Sequence, residues 1–245
     1  MKQLRIFLNT LGFMTRLAPA RVVPEEEIFK SMPVMPLIGV VLGAVLALPW
    51  KLGLLAGQPW IQAWLLVILN AWLTRGLHYD GLSDIFDAVT AHTSRERFWE
   101  VVKDSRCGVF GVLALVLFVA GQLLLFHALL EARLYAAVGF VFVFGRFGCV
   151  SFGYFAKHLA RPGLGKLLMD GATFNGSLLA LLFTAAVGFY CLPLWSLLLC
   201  FGFLTATHYP LYNLAERVGG ANGDFLGAAV MLAELAAMLA VVVLL

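Results

Sequence analysis

Charge is scarce in this chain. Only 13% of its 245 residues are Asp, Glu, Lys or Arg, about half the share in an ordinary soluble domain. Hydrophobic residues make up 62%. An ordinary soluble domain is excluded. Cysteine is sparse too, and Cys107, Cys149, Cys191 and Cys200 show no C-x-x-C spacing. No disulfide framework is implied, and the three in apolar runs read as small apolar side chains. Zinc-ligand spacing, G-x-S-x-G, a Cys–His pair in one loop, a P-loop and a dinucleotide fingerprint are all missing. There is no internal repeat and no linker, so residues 1–245 read as one domain. A signal peptide is not expected either. Lys2 and Arg5 precede an apolar stretch broken by Asn9, Thr10 and Arg16. Ile6, Phe7, Leu11, Phe13, Met14 and Leu17 instead suit the apolar face of a helix lying in a membrane interface, or capping a bundle.

What is present are long apolar runs, enough to cross a bilayer core of about 30 Å several times. About seven spans are expected, near Pro36–Ala56, Trp60–Leu77, Val109–Leu130, Leu134–Ala156, Gly176–Leu192, Leu194–Tyr212 and Phe225–Leu245. The pair flanking Pro193 also fits one broken helix or a re-entrant pair. The fold class is an all-α polytopic membrane bundle with an N-terminal interfacial helix. Basic residues sort by loop. Lys2, Arg5, Arg16, Arg21 and Lys30 precede the first span, and Arg75, Arg95, Arg97, Lys103 and Arg106 follow the second. Lys157, Arg161 and Lys166 follow the fourth and Arg217 the sixth, while the intervening loops hold only Lys51 and Arg133. The positive-inside rule makes the basic loops cytoplasmic, in a cell (inner) membrane. Asp80, Asp84, Asp87, Asp104, Asp170 and Asp224 then share the cytoplasmic side. The net charge of +3 reflects this topology and does not suggest nucleic-acid binding.

Against this background, Asp80, Asp84 and Asp87 stand out at i, i+4 and i+7. On a helix they fall within an arc of roughly 60°. Three carboxylates on one stripe repel, and an oxygen-seeking divalent cation offsets that repulsion. The stripe is expected to prolong the second span's helix, with Gly81 leaving room for a ligand to approach the backbone. Carboxylates at membrane depth suggest function by default. His78, just before them, suits a base, a proton relay or a packing residue.

Other polar groups are weaker signals. Glu25, Glu26 and Glu27 after Pro24 read as a solvated helix start. Thr93 and Glu96 fit a capping box opening a short helix through about Lys103. Arg106 offers a planar fork to phosphate oxygens, or a salt bridge to Asp104. Arg146, deep in the fourth span, should face the bundle interior and find a partner. Arg161 sits with Lys157, His158, Gly163, Gly165 and Lys166 in a basic, glycine-bearing loop suited to an anionic substrate. Gly219, Gly220 and Gly223 surround Asn222 and Asp224 just before the last span, where a backbone can approach a ligand closely. Glu234, three turns into that span, reads as a functional or a structural carboxylate.

Together these segments resemble one family, cobalamin (5′-phosphate) synthase, also called adenosylcobinamide-GDP ribazoletransferase. The resemblance runs over nearly the whole chain. It includes Phe13–Leu17, Pro36–Gly39, Arg75–Asp84, Asp104–Gly108, Gly163–Gly165 and Gly223–Ala228 in family order. The H-x-D-G-L-x-D stretch followed by D-S-R-x-G is the specific part. The resemblance implies an integral-membrane, magnesium-dependent transferase. Adenosylcobinamide-GDP donates cobinamide phosphate to α-ribazole or its 5′-phosphate, and GMP leaves. Mg2+ is expected on Asp80, Asp84, Asp87 and Asp104, with one of these aspartates or His78 taking the hydroxyl proton. Asp104, Arg106, Arg146, Arg161 and Asp224 are expected to contact substrate. Two departures stand out: Asn222 occupies a usual Thr position, and Met231 replaces a frequent second glutamate before Glu234. The aspartate segment also looks like that of CDP-alcohol phosphotransferases, but the arginine expected soon after D-G is absent. A transporter of divalent cations or small polar solutes is the rival class, fitted by Arg146 and Glu234. Clustering of the acidic residues at one membrane face opposes it.

Overall fold

The structure is a computed structural model that describes residues 2–91 and 94–245. Twelve α-helices account for most of these residues: α1 (Lys2–Met14), α2 (Glu25–Phe29), α3 (Met35–Lys51), α4 (Pro59–Leu73), α5 (Leu77–Ala91), α6 (Arg95–Val102), α7 (Val109–Glu131), α8 (Tyr135–Ala156), α9 (Leu164–Asp170), α10 (Phe174–Cys191), α11 (Leu194–Val218) and α12 (Gly223–Val242). Among the described residues there is no strand, only an isolated bridge between Ala160 and Ala221. Among the described residues six helices are long and apolar enough to cross a membrane: α3 with its preceding 3-10 turn, α7, α8, α10, α11 and α12. The chain is thus a multi-pass membrane protein. The second expected span is shorter. It is α4, at 15 residues.

α8 and α12 form the centre, enclosed by their neighbours. Small residues make the closest approaches, as is usual between helices in a bilayer. A Cβ at Gly39 or Gly43 would overlap the backbone of α8, and one at Gly148 would overlap Ala233 of α12. Aromatic rings fill the rest, with Phe140, Phe142, Phe144, Phe152 and Phe225 fully buried.

Three expectations are corrected. The aspartate stripe does not continue the second span's helix. A turn at Thr74–Gly76 separates α4 from α5, with Arg75 and Gly76 at φ of 57° and 69°. The left-handed backbone at two successive residues ends one helix and redirects the next. Pro193 separates two full helices, as expected of the two spans flanking it, with α11 running on past Pro210 to Val218. The short helix α6 is capped by Ser94, whose hydroxyl accepts from Arg97 N at 3.2 Å; Thr93 lies outside the described residues. The acidic run is not wholly solvated. Glu27 is buried, pairs with Arg5 and accepts from Asn9 Nδ2 at 2.7 Å. That contact ties α1 to α2, so α1 packs onto the bundle through Ile6, Leu11 and Met14 and leaves Leu4 and Leu8 exposed.

The two ends of the bundle differ in polarity. Lys51 and Arg133 meet at one end, lining a cleft with Tyr135 and Cys191. The other end gathers α1, α2, α5, α6, α9 and the loop before α12. Arg95 Nε donates to Arg217 O at 2.8 Å there, and Arg161 N to Ala221 O at 2.8 Å. The aspartates lie at this second end.

Candidate active site

Helix α5 runs antiparallel to both α7 and α12. Tyr79 meets Gln122 of α7 while Asp87 meets Gly108 and Gly111. On the other side, Gly81 touches the Asp224 backbone and His78 faces Gly227. A Cβ on Gly81 would stand 2.8 Å from Asp224 O. The glycine therefore makes room for α12, not for a ligand. That close approach brings the two acidic segments together.

Asp80 is the hinge of the site. It is exposed, and it borders two clefts. The larger, of about 500 Å³, is shared with Asp84, Ser83, Arg75, Ser105 and Cys107. The smaller, of about 120 Å³, is shared with His78, Asp224, Gly165 and Gly223. Asp84 is half-buried, and its pKa is raised from 3.8 to about 7. Burial contributes most, followed by the charges of Asp80, Asp224 and Asp87. Among the described residues no Lys or Arg pairs with Asp80, Asp84 or Asp224.

Asp87 is placed differently. It is buried, and its two oxygens accept from Gly108 N at 2.6 Å and Gly111 N at 2.7 Å. It caps the start of α7, where a carboxylate suits free N–H groups and the helix dipole. Asp104 and Arg106 pair with each other, Nη2 to Oδ2 at 2.6 Å, on an exposed loop. Hydrogen bonds from Arg106 hold the Asp104 carboxyl down at about 2. The larger cleft is lined by the neighbours of that pair, Ser105 and Cys107.

Arg146 is inside the bundle, as its depth implied, and its partner is Glu234. Glu234 is thus an ion-pair residue. Gln122 Nε2 adds a long contact to Glu234 at 3.5 Å, and Gln122 Oε1 accepts from Tyr79 at 2.7 Å. A buried polar chain therefore links α8, α12, α7 and α5. Sequence reading missed Gln122 and Tyr79, although a lone glutamine in a 23-residue apolar helix was the available signal. His78 is buried with Nε2 unpartnered. Burial, and then the Arg146 charge, keep it neutral, well below the usual 6.5.

Arg161 is half-buried and stacks over Trp99, its Cζ 4.1 Å from the ring centroid. Trp99 Nε1 in turn donates to Val218 O at 2.9 Å. Arg161 thereby clasps the glycine loop to α6. Within that loop, Asn222 caps α12, accepting from Asp224 N at 3.2 Å and donating to Asp224 Oδ2 at 2.6 Å. Asp224 is not the cap. Lys166 pairs with Asp170 at 3.0 Å, and Lys157 lies over Tyr154.

The donor set suits a hard cation. Magnesium typically takes one or two carboxylates and fills its shell with water and substrate phosphates. Asp80 and Asp84 supply two on one cleft. Among the described residues no group of three or more His, Cys, Asp or Glu side chains is placed to hold a metal ion.

Comparison with known proteins gives a consistent result. The profile of the Cobalamin-5-phosphate synthase family matches residues 6–242. A protein of Nitratidesulfovibrio vulgaris (strain Miyazaki F), named adenosylcobinamide-GDP ribazoletransferase, is 40% identical over 97% of this chain and 94% of its own length. Proteins of the same name from Caldanaerobacter subterraneus subsp. tengcongensis and Klebsiella pneumoniae are 32% and 31% identical. The first covers 98% of both chains, the second 97% of this chain and 99% of its own. No solved structure matches.

Proposed function

The chain belongs to the cobalamin-5-phosphate synthase family, and on that premise we propose that it transfers cobinamide phosphate from adenosylcobinamide-GDP to α-ribazole or its 5′-phosphate, releasing GMP. The reaction falls in the last steps of cobalamin synthesis. One observation carries this reading: Asp80 stands between two clefts, with Asp84 and Asp224 beside it and, among the described residues, no Lys or Arg paired to any of them.

The acceptor's ribose oxygen forms a bond to the cobinamide-linked phosphorus, and the bond from that phosphorus to GMP breaks. Positioning and charge neutralisation carry such a transfer. Asp80 and Asp84, on one cleft, would hold magnesium, and Asp224 lines the adjoining cleft from the other helix. Bound magnesium supplies charge neutralisation for the diphosphate and the leaving phosphate. His78, neutral and at the wall of the smaller cleft, takes the hydroxyl proton. Asp87 sets the angle between α5 and α7 and so aims the stripe. Arg106, largely exposed beside the larger cleft, exchanges Asp104 for a phosphate oxygen when substrate arrives. Arg146 keeps its place inside with Glu234, and Arg161 holds the glycine loop. The basic end of the bundle faces the cytoplasm across the inner membrane.

The decisive experiment is GMP release by purified protein in detergent, with adenosylcobinamide-GDP and either acceptor, with and without magnesium. Metal-dependent GMP release is expected. No release with either acceptor would remove the transfer reading. Full release in chelator would remove the metal.

A further inference from the structure

Phe13 borders three clefts at once. One is the 500 Å³ cleft of Asp80 and Asp84, and another the 120 Å³ cleft of Asp80, His78 and Asp224. The third, of about 200 Å³, contains Arg21, Glu27 and Leu164. The ring is a partition between the spaces on either side of Asp80. It is only half-buried, so part of it is left to meet a ligand.

The chain holds this partition in place. Arg75 Nη1 donates to the carbonyls of Gly12 and Phe13 at 3.0 and 3.1 Å. A cation there satisfies the free carbonyls at the end of α1 and suits the helix dipole. Arg75 itself stands in the left-handed turn that launches α5. Arg16 adds two bonds to the same junction, N to Leu73 O at 2.7 Å and Nε to Trp72 O at 2.8 Å. Gly12 lies so close to Pro19 that a Cβ would overlap the Pro19 carbonyl. The position of the ring is thus tied by backbone contacts to the turn that sets Asp80.

The transfer proposed above brings two planar heteroaromatic groups near the reacting phosphates, the guanine of the donor and the base of the acceptor. A fixed aromatic ring at the cleft wall offers a stacking face to either. We propose that Phe13 is a substrate-positioning residue that stacks on one of these bases and thereby holds that substrate in the cleft beside Asp80. The inference rests on the transferase reading.

Steady-state kinetics test it, with each substrate varied while the other saturates. Wild type, Phe13→Leu, Phe13→Tyr and Phe13→Trp are compared in detergent. Phe13→Leu should raise the KM of one substrate by about tenfold or more and leave kcat and the other KM within about threefold. Phe13→Tyr should restore that KM. The substrate whose KM moves identifies the stacked base. Unchanged KM values in Phe13→Leu, or a fall in kcat alone, would overturn the proposal. Should the leucine variant not fold, Phe13→Trp carries the test: it must shift the KM of one substrate only, and two unshifted KM values overturn the proposal. A wild-type protein that releases no GMP defeats the reaction itself, a result distinct from active wild type with a kinetically silent Phe13.

Discussion

Asp84 and Asp224 carry different burdens from Asp87, although all three are aspartates near one another. Asp87 spends both oxygens on the amides of Gly108 and Gly111, whereas among the described residues Asp84 has no hydrogen-bonded partner. Asp84→Asn should therefore keep the fold and membrane insertion and lose most transfer activity. Near wild-type turnover at limiting magnesium would remove Asp84 from the ligand set. For Asp224→Asn, a loss of at least about tenfold in kcat/KM is expected, with the melting temperature unchanged. Stability is spared because Asn222 provides the cap of α12. The converse substitution, Asn222→Ala, should cost about 1 kcal/mol of stability, readable as a lower melting temperature. If instead Asp224→Asn were kinetically silent, Asp224 would have no part in the chemistry.

At the level of helices, the site depends on how closely α5 lies on α12. Gly81 permits it, since a side chain there would meet the Asp224 backbone. Gly81→Ala should push the helices apart, costing about 1–3 kcal/mol as overpacking, and should lower activity along with melting temperature. A variant as stable and active as wild type would show that the contact can yield. The polar chain from Arg146 and Glu234 through Gln122 to Tyr79 ties α5 to the bundle centre from its other face. Truncating one member of such a buried pair leaves a charge unpaired.

Over the whole molecule, two consequences follow from gathering carboxylates at one polar end. The first concerns pH. Asp84 titrates at about 7 in the folded state and at 3.8 ordinarily. Between these values the folded state holds the extra proton, so the metal-free protein should lose stability as pH rises from about 4 to about 7. Melting curves in chelator across that range check the sign; a rising melting temperature would contradict it. The second concerns orientation. Ser94 is exposed at the start of α6. In a background without native cysteines, Ser94→Cys should react with impermeant thiol reagents only from the cytoplasmic side. Labelling from outside intact cells would reverse the topology and, with it, the cytoplasmic active site.

The membrane class, the helical fold and the sorting of charge between loops were legible in the sequence, because each follows from local composition. A bilayer demands apolar runs with internally paired backbones, and that demand is written residue by residue. That Arg146 would face the interior and find a partner was legible from its depth; that the partner is Glu234, where a substrate phosphate was expected, was not. Other features needed the tertiary structure. Asp80, Asp84 and Asp87 share one helical stripe, yet only packing decided that Asp87 would meet the first amides of α7 while the other two line a cleft. Gly81 reads equally as space for a ligand or for a helix, and the approach of α12 settled it. Phe13, Asp80 and Asp224 lie far apart in the chain, and no periodicity relates them. They meet because small residues let α12 sit against α5 and α8, and because Arg75 anchors the end of α1 at the turn before α5. Long-range proximity arises from the joint packing of several helices, which no single stretch of sequence encodes.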